Sequence, residues 1–265
     1  MSFTSLATVK AWLVITTSTD DTLLTNLIKQ VSLAILNYIN RPAFVRTTFN
    51  ELQSGVGNPD IMLRNYPVIT VNSLSVSGET IPASTSYGVP GYTLSEWDGS
   101  SSGNPQEITL CSYWFRRGRN NISIQYQAGY CILNEAQTIP ATPYQITPTQ
   151  PYGNWAQDDG VTYANGTALT KVAMSPTAGQ YSVSSTGVYT FAAADTTAAV
   201  LISYSYTPAD IEEACIEWVS ERYKYKQRIG QTAQNISGQT TASYNLKMPE
   251  HIQTMLEPYK KWLPL

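Results

Sequence analysis

The sequence predicts an α+β fold: a helical bundle built from N-terminal and C-terminal helices, one small β domain, and a second, inserted β domain of sandwich-like character. Two observations predict it. Apolar residues recur at spacings of three and four near both ends of the 265-residue chain, whereas across residues 46–206 they sit in short β-rich runs bounded by Gly, Pro, Asn, Asp and Ser. The middle also repeats itself loosely. SLSVSGETIPA, GYTLSEWDG, and EITL followed by NISIQYQAGY match, in order, VTYANGTALTKV, QYSVSSTG, and VYTF followed by AAVLISYSY. The expected parts are an N-terminal helical part of the bundle (1–45), a first β domain (46–137), the inserted β domain (138–207), and C-terminal helices with an arm (208–265) that pack with the first part.

Leu6, Val9 and Leu13 suggest a short first helix ending near Ile15, interrupted by TTSTDD. Asp20 can cap a second helix whose stripe runs Leu23, Leu24, Leu27, Ile28, Val31, Ile35, Tyr38 and Ile39, and Pro42 stops it. The runs VITVNSLSV, EITLCSYWF, NISIQYQAGY, GQYSVSS, GVYTFAA and AAVLISYSY have strand length. Residues 138–151, TIPATPYQITPTQP, read as a stiff proline-rich linker. Thr207 is then placed to cap a third helix, with Pro208 at its first position and Asp210 completing a capping-box variant. Ile211, Ala214, Cys215, Trp218, Arg222 and Tyr225 share one face, and Gly230 ends the helix. Residues 231–247 are poor in apolar side chains and read as extended or mobile. Pro249 opens a last helix carrying Ile252, Met255, Leu256 and Tyr259, which Pro258 kinks or ends.

Composition narrows the function classes. Charged residues make up 13% of the chain, about half of a typical 25%, so the surface is polar without being charged. A net charge of −3 provides no global field for nucleic acid or an anionic membrane, and such a contact would need a local patch. No apolar run reaches the ~20 residues of a membrane helix, and residues 1–19 have no signal-peptide pattern, so a soluble, unprocessed chain is expected. One histidine, His251, and three cysteines without CxxC spacing leave little catalytic or zinc chemistry. The expectation is a protein that is not an enzyme, with no catalytic residues, no metal and no cofactor. His251, between Glu250 and Gln253, suits a solvated helix face. Asp158 and Asp159 beside Gly160, with Asp195, could hold calcium, although a hairpin turn explains the same letters. The run YWFRRGRNN mixes Trp114 with Arg116, Arg117 and Arg119, as single-stranded nucleic-acid sites do; the alternative is a hairpin turning at Gly118 and Asn120 whose arginines keep an edge soluble.

The order of pieces resembles a known family. VKAWL and DDTLLTNLIKQVSLAILNYINR are followed by LRNYPVITVNSLSVSG, FRRGRNNISIQYQAGY and PADIEEACIEWVSERYKYKQRIG. Together they closely resemble the head-tail connector, or adaptor and head completion, proteins of tailed bacteriophages, over about residues 5–130 and 208–262. The most specific parts are R-x-x-P-V-I-x-V-x-S-L, Y-x-A-G-Y, and P-x-D-I-E-x-A leading to R-I-G. The resemblance implies a virion protein at the neck, forming a ring, usually a dodecamer, under the portal. It would extend the DNA channel and offer a platform to the next neck or tail component. DNA would pass without sequence-specific binding, and no membrane is involved. Residues 131–206 depart from the compact pattern, and AGQYSVSSTGVYTFAAADTTAAVLISYSY looks like a β module of various phage structural proteins. On this reading Gln231, Ile236, Tyr244, Leu246, Tyr259, Lys261 and Trp262 are expected to contact the portal, and Arg116, Arg117 and Arg119 to face the channel or a neighbouring subunit.

Two other classes compete. A carbohydrate-binding or adhesion module of a phage tail could stack sugars on Trp97, Trp114 and Trp155, but would leave both helical ends unexplained. A hydrolase would have to make His251 essential.

Overall fold

A computed structural model describes residues 2–86, 88–95, 106–149, 152–226, 233–236, 240–243 and 248–261. Among the described residues there are sixteen strands in five sheets and four α-helices, so the protein is mostly β and is not a helical bundle. Helical periodicity at the two ends is real, but the outer helices are too short to make a bundle. The first helix is eight residues long and buries only Val9, and the last is seven residues long. The chain divides into two compact units: Met1–Pro42, Pro151–Asn154 and Thr207–Lys260, and Ala43–Gln150, Trp155–Tyr206 and Lys261–Leu265.

The first unit holds α1 (Leu6–Leu13), α2 (Asp21–Ile39), α3 (Ala209–Tyr225) and α4 (Glu250–Leu256). Ser5 caps α1 by accepting a hydrogen bond from the Thr8 amide at 3.1 Å. The α2 stripe buries Leu24, Ile28, Val31, Ser32, Ile35 and Ile39, and α3 buries Ile211, Ala214, Cys215, Ile216, Trp218, Val219 and Ser220. Polar links tie the two helices. The Ser32 hydroxyl lies 3.7 Å from Cys215 Sγ and accepts the Phe3 amide at 3.1 Å. Burial pushes the Cys215 thiol up to about 12, with the Ser32 contact opposing. Asp20 makes no capping bond to α2. Its carboxylate instead accepts the Tyr223 hydroxyl at 2.5 Å and Lys226 Nζ at 2.9 Å, contacts that hold its carboxyl below the usual carboxylate range.

The second unit contains two β repeats of one topology. The first has β1 (Thr47–Gly55), β2 (Asp60–Met62), β3 (Val68–Val76), β4 (Glu79–Thr80), β5 (Gly91–Ser95), β6 (Glu107–Cys111) and β7 (Gly118–Ala128). The second has β8 (Cys131–Thr138), β9 (Gln145–Ile146), β10 (Gly153–Tyr163), β11 (Thr170–Lys171), β12 (Gln180–Val183), β13 (Tyr189–Phe191) and β14 (Ala199–Pro208). Sheet order β1-β7-β3-β4 answers to β8-β14-β10, and β2-β6-β5 to β9-β13-β12-β11. The correspondence extends to single bonds: the Ile81 amide donates to Leu74 O at 2.9 Å, and the Leu169 amide to Val161 O at 2.9 Å. It also reproduces the alignment read from the letters, with β3 through β7 matching β10 through β14. In each repeat the two sheets share one core. One is built around Leu74, Ile108, Ile122, Ile124 and Tyr126, the other around Val161, Tyr181, Tyr189, Phe191, Ile202 and Tyr204.

Three local expectations need correction. The proline-rich stretch 138–151 supplies β9 and the buried Ile139 and Ile146 to the second core, so it is not a bare linker. Thr207 does not cap α3; it is a buried strand residue, and β14 runs through Pro208 straight into the helix. Asp158, Asp159 and Gly160 are not a hairpin turn but lie inside β10, where Gly160 takes a φ of 117°. A final pair, β15 (Ala233–Ile236) and β16 (Thr240–Ser243), forms an antiparallel ribbon in the segment read as extended.

Candidate interaction surfaces

Five carboxylates of the two β repeats, Glu51, Glu135, Asp158, Asp159 and Asp195, are tied into the architecture. In the first, the buried Glu51 on β1 accepts the Tyr126 hydroxyl, and its other oxygen accepts Gln53 Nε2 at 2.9 Å. Asn65 adds a bond from Nδ2 to Glu51 at 3.2 Å and one from its amide to the Tyr126 hydroxyl at 3.1 Å. In the second, Glu135 on β8 accepts the Tyr204 hydroxyl at 2.7 Å, Gln137 Nε2 at 2.6 Å and the Thr149 amide at 3.1 Å. Glu51 pairs with Ile124 and Glu135 with Ile202, so the two tyrosine-glutamate-glutamine locks occupy equivalent positions. The sequence carries the signal as Asn50-Glu51-Leu52-Gln53 and Asn134-Glu135-Ala136-Gln137, which lie upstream of the matching stretches named above.

Asp158 and Asp159 do not converge. Asp158, whose side chain is 4% exposed, accepts Tyr181 at 2.9 Å, Tyr189 at 3.1 Å and Lys171 Nζ at 2.9 Å. Asp159 accepts Ser205 Oγ at 2.5 Å, and Asp195 accepts the Tyr163 hydroxyl at 2.9 Å and the Gly179 amide at 3.0 Å. Burial, reinforced by Asp158, pushes the Tyr181 and Tyr189 hydroxyls well above the ordinary phenol range. Trp155 also serves packing: its Nε1 donates to the Tyr189 hydroxyl at 3.3 Å, and its ring lies against Gly187, where a Cβ would collide with it. Trp97 lies outside the described residues.

The arginine run is not a hairpin. Residues 112–117 cross from β6 in one sheet to β7 in the other, and Gly118–Asn120 already belong to β7. Side chains alternate along the crossing: Phe115 is buried at 1% exposure, whereas Trp114 keeps 60%. Asn121 fixes the loop. Its Oδ1 accepts the Gly55 amide at 2.9 Å, and its Nδ2 donates to Arg116 O at 2.9 Å and to Ser77 Oγ at 3.2 Å. Arg116 and Arg117 on the crossing and Arg119 at the start of β7 therefore stand close in the chain on one exposed, braced stretch. Arg116 pairs with Glu79 only at 3.9 Å with both side chains more than half exposed, a contact of little energetic weight. Arg117 Nε donates to Val56 O at 3.2 Å. The equivalent crossing in the second repeat, Ala192–Ala198, has no arginine and turns Asp195 inward.

Of the side chains expected on the arm, Gln231, Tyr244, Leu246 and Trp262 lie outside the described residues, and Ile236 ends β15. Tyr259 is engaged within the first unit: its carbonyl accepts Arg41 Nε at 2.6 Å, and its hydroxyl donates to Asp210 at 3.1 Å. Lys261 Nζ donates to Asn65 Oδ1 at 3.3 Å. His251 is exposed, with Nε2 3.0 Å from Glu217 Oε2, within ion-pair distance but without the alignment of a hydrogen bond. Trp12, with Glu217, Glu221 and Lys224 of α3 and Glu250 and His251 of α4, lines a cleft of about 490 Å³.

Two groups of side chains thus stand apart: carboxylates tied into strand-to-strand locks, and exposed aromatic and cationic groups on and beside a braced loop. The family model described as head completion protein matches residues 2–142 and 157–262, and the chain belongs to that family. Its role is accordingly a structural one in the bacteriophage head, its place is the virion, and the family is not an enzyme family. No curated protein matches the chain. The match runs through most of the second β repeat, and so reaches further than the resemblance read from the sequence.

Proposed function

We propose that this protein forms a ring, a dodecamer by family likeness, at the capsid vertex, where it joins the portal to the next neck or tail component and extends the channel for DNA. The observation that carries this reading is the family match across most of the chain. The many tyrosines and few charges suit large polar subunit contacts, where tyrosine supplies area and a hydrogen-bonding tip. In this proposal residues 1–45 and 208–265 form one module, 46–137 a second and 138–207 a third. The segment bearing Gln231, Ile236, Tyr244, Leu246, Tyr259, Lys261 and Trp262 meets the portal.

Negative-stain microscopy of the protein, alone and with its portal, tests the ring: closed rings of uniform size are expected, and a protein that stays monomeric with portal present overturns it. Truncation after Gly230 should abolish co-purification with portal; unchanged co-purification removes the portal role of that segment. A channel must pass a polyanion without gripping it. The isolated subunit should therefore bind duplex DNA weakly at physiological salt, with Arg116, Arg117 and Arg119 serving protein contacts. Tight, sequence-dependent binding in a fluorescence titration would reverse that assignment.

A further inference from the structure

The first unit and the crossing loop of the second carry opposite chemistry. Clefts that enclose a bound group run roughly 300–1,000 Å³, and the cleft beside α3 and α4 falls in that range at about 490 Å³. Its lining sets three carboxylates, Glu217, Glu221 and Glu250, against one ammonium, Lys224, and the imidazole of His251. Trp12 contributes an indole that is 55% exposed. Glu217 Oε2 is shielded from solvent, with His251 Nε2 3.0 Å away but not aligned for a hydrogen bond. An aromatic face beside carboxylates favours a cation, a guanidinium above all, because its flat face stacks while its N–H groups reach the oxygens.

The chain itself displays such a group. Arg116, Arg117 and Arg119 stand on the loop fixed by Asn121, flanked by Trp114 at 60% and Val56 at 61% exposure. A bulk charge of only −3 thus conceals one basic protrusion and one acidic recess on different units. We infer that the arginine loop of one copy docks in the Trp12 cleft of the next. Two different patches meeting in this way make a head-to-tail contact, which closes into a ring when the rotation between copies divides the circle. The inference rests on the ring reading and names the surfaces that would make the ring.

Two exposed-site variants test it: a loop variant, Arg117→Ser with Arg119→Ser, and a cleft variant, Trp12→Ala with Glu221→Gln, each checked for native circular dichroism. In sedimentation velocity at low salt, each variant alone should self-associate at least about tenfold more weakly than the parent, since charge pairs across an interface govern docking and its salt dependence. An equimolar mixture should form a 1:1 dimer that does not grow, because it retains one intact loop and one intact cleft per pair. Should either variant fail to fold, Glu250→Gln and Arg119→Ser replace the pairs with the same expectation. Parent protein that stays monomeric at the highest attainable concentration overturns the contact. So do variants that associate like the parent, or a cleft variant that loses only portal binding. Rings on the portal in microscopy with both variants would leave the ring standing on other surfaces, whereas absence of rings for the parent would sink the ring itself.

Discussion

The two β repeats fold the same way and fill their centres with different chemistry. In the first, Val71 and Ile108 belong to one buried apolar cluster, and the Tyr92 hydroxyl donates to the Val71 carbonyl, at 3.2 Å. In the second, the equivalent positions are Asp158 and Tyr189, and Tyr181, the counterpart of Tyr92, donates to the Asp158 carboxylate instead. Val68 is likewise replaced by Trp155, which fits because Gly187 has no side chain. Topology therefore does not dictate whether a core is oily or hydrogen-bonded. It dictates where the choice must be made consistently, because one buried carboxylate requires two phenols and a lysine around it.

The largest expected effect comes from breaking that consistency. Asp158→Val should cost about 3–5 kcal/mol, since it strands buried donors that all converged on one acceptor. Adding Tyr189→Ile, which installs the first repeat's pair, should recover part of the loss; additivity of the two changes in denaturant melts would show that the positions are not a unit. The shared locks should respond alike: Tyr126→Phe and Tyr204→Phe are each expected to cost about 1–3 kcal/mol by leaving a glutamate short of one donor. A large disparity between them would mean that the repeats have diverged in energetics as well as in chemistry. The smallest effect is in acid. Burial pushes the Glu135 carboxyl up, but hydrogen bonds from Tyr204, Gln137 and Thr149 outweigh it and hold the group below the usual carboxylate range. A depressed carboxyl contributes stability above its unfolded value of about 4.3 and loses it as pH falls through the folded one. Glu135→Gln should flatten thermal stability across that acid window by roughly a few tenths of a kcal/mol, because the site is solvent-screened.

Much of this was legible. The change of period located the helices α2 and α3 and the β middle, and the match of SLSVSGETIPA to VTYANGTALTKV paired the right strands of the two repeats, one residue out of register where Leu74 answers to Val161. What failed did so for physical reasons. Prolines in 138–151 suggested a linker because proline cannot donate to a ladder, yet Ile139 and Ile146 of that stretch are core residues, a fact set by contacts distant in sequence. Asp158-Asp159-Gly160 reads as a turn in local terms, and only the phenols of β12 and β13 make a buried carboxylate tolerable there. The arginines were visible as a cluster, but their bracing by Asn121 depends on strand β1 lying alongside. The helical bundle was overestimated because amphipathic stripes say that a face is covered without saying by how much protein.

The segment Tyr126–Tyr130 carries the Y-x-A-G-Y signature, and each of its letters has a spatial cause. Tyr126 closes the lock on Glu51, and Ala128 is 1% exposed. Gly129, at a φ of 142°, passes so close to Val45 that a Cβ would stand 2.5 Å from its carbonyl oxygen. The Tyr130 amide donates to Phe44 O at 2.7 Å, and its ring packs 5.9 Å from that of Phe44. Five letters of sequence are thus the imprint of a crossing between two stretches of chain, at a point where any side chain on Gly129 would run into the backbone of Val45 and Arg46.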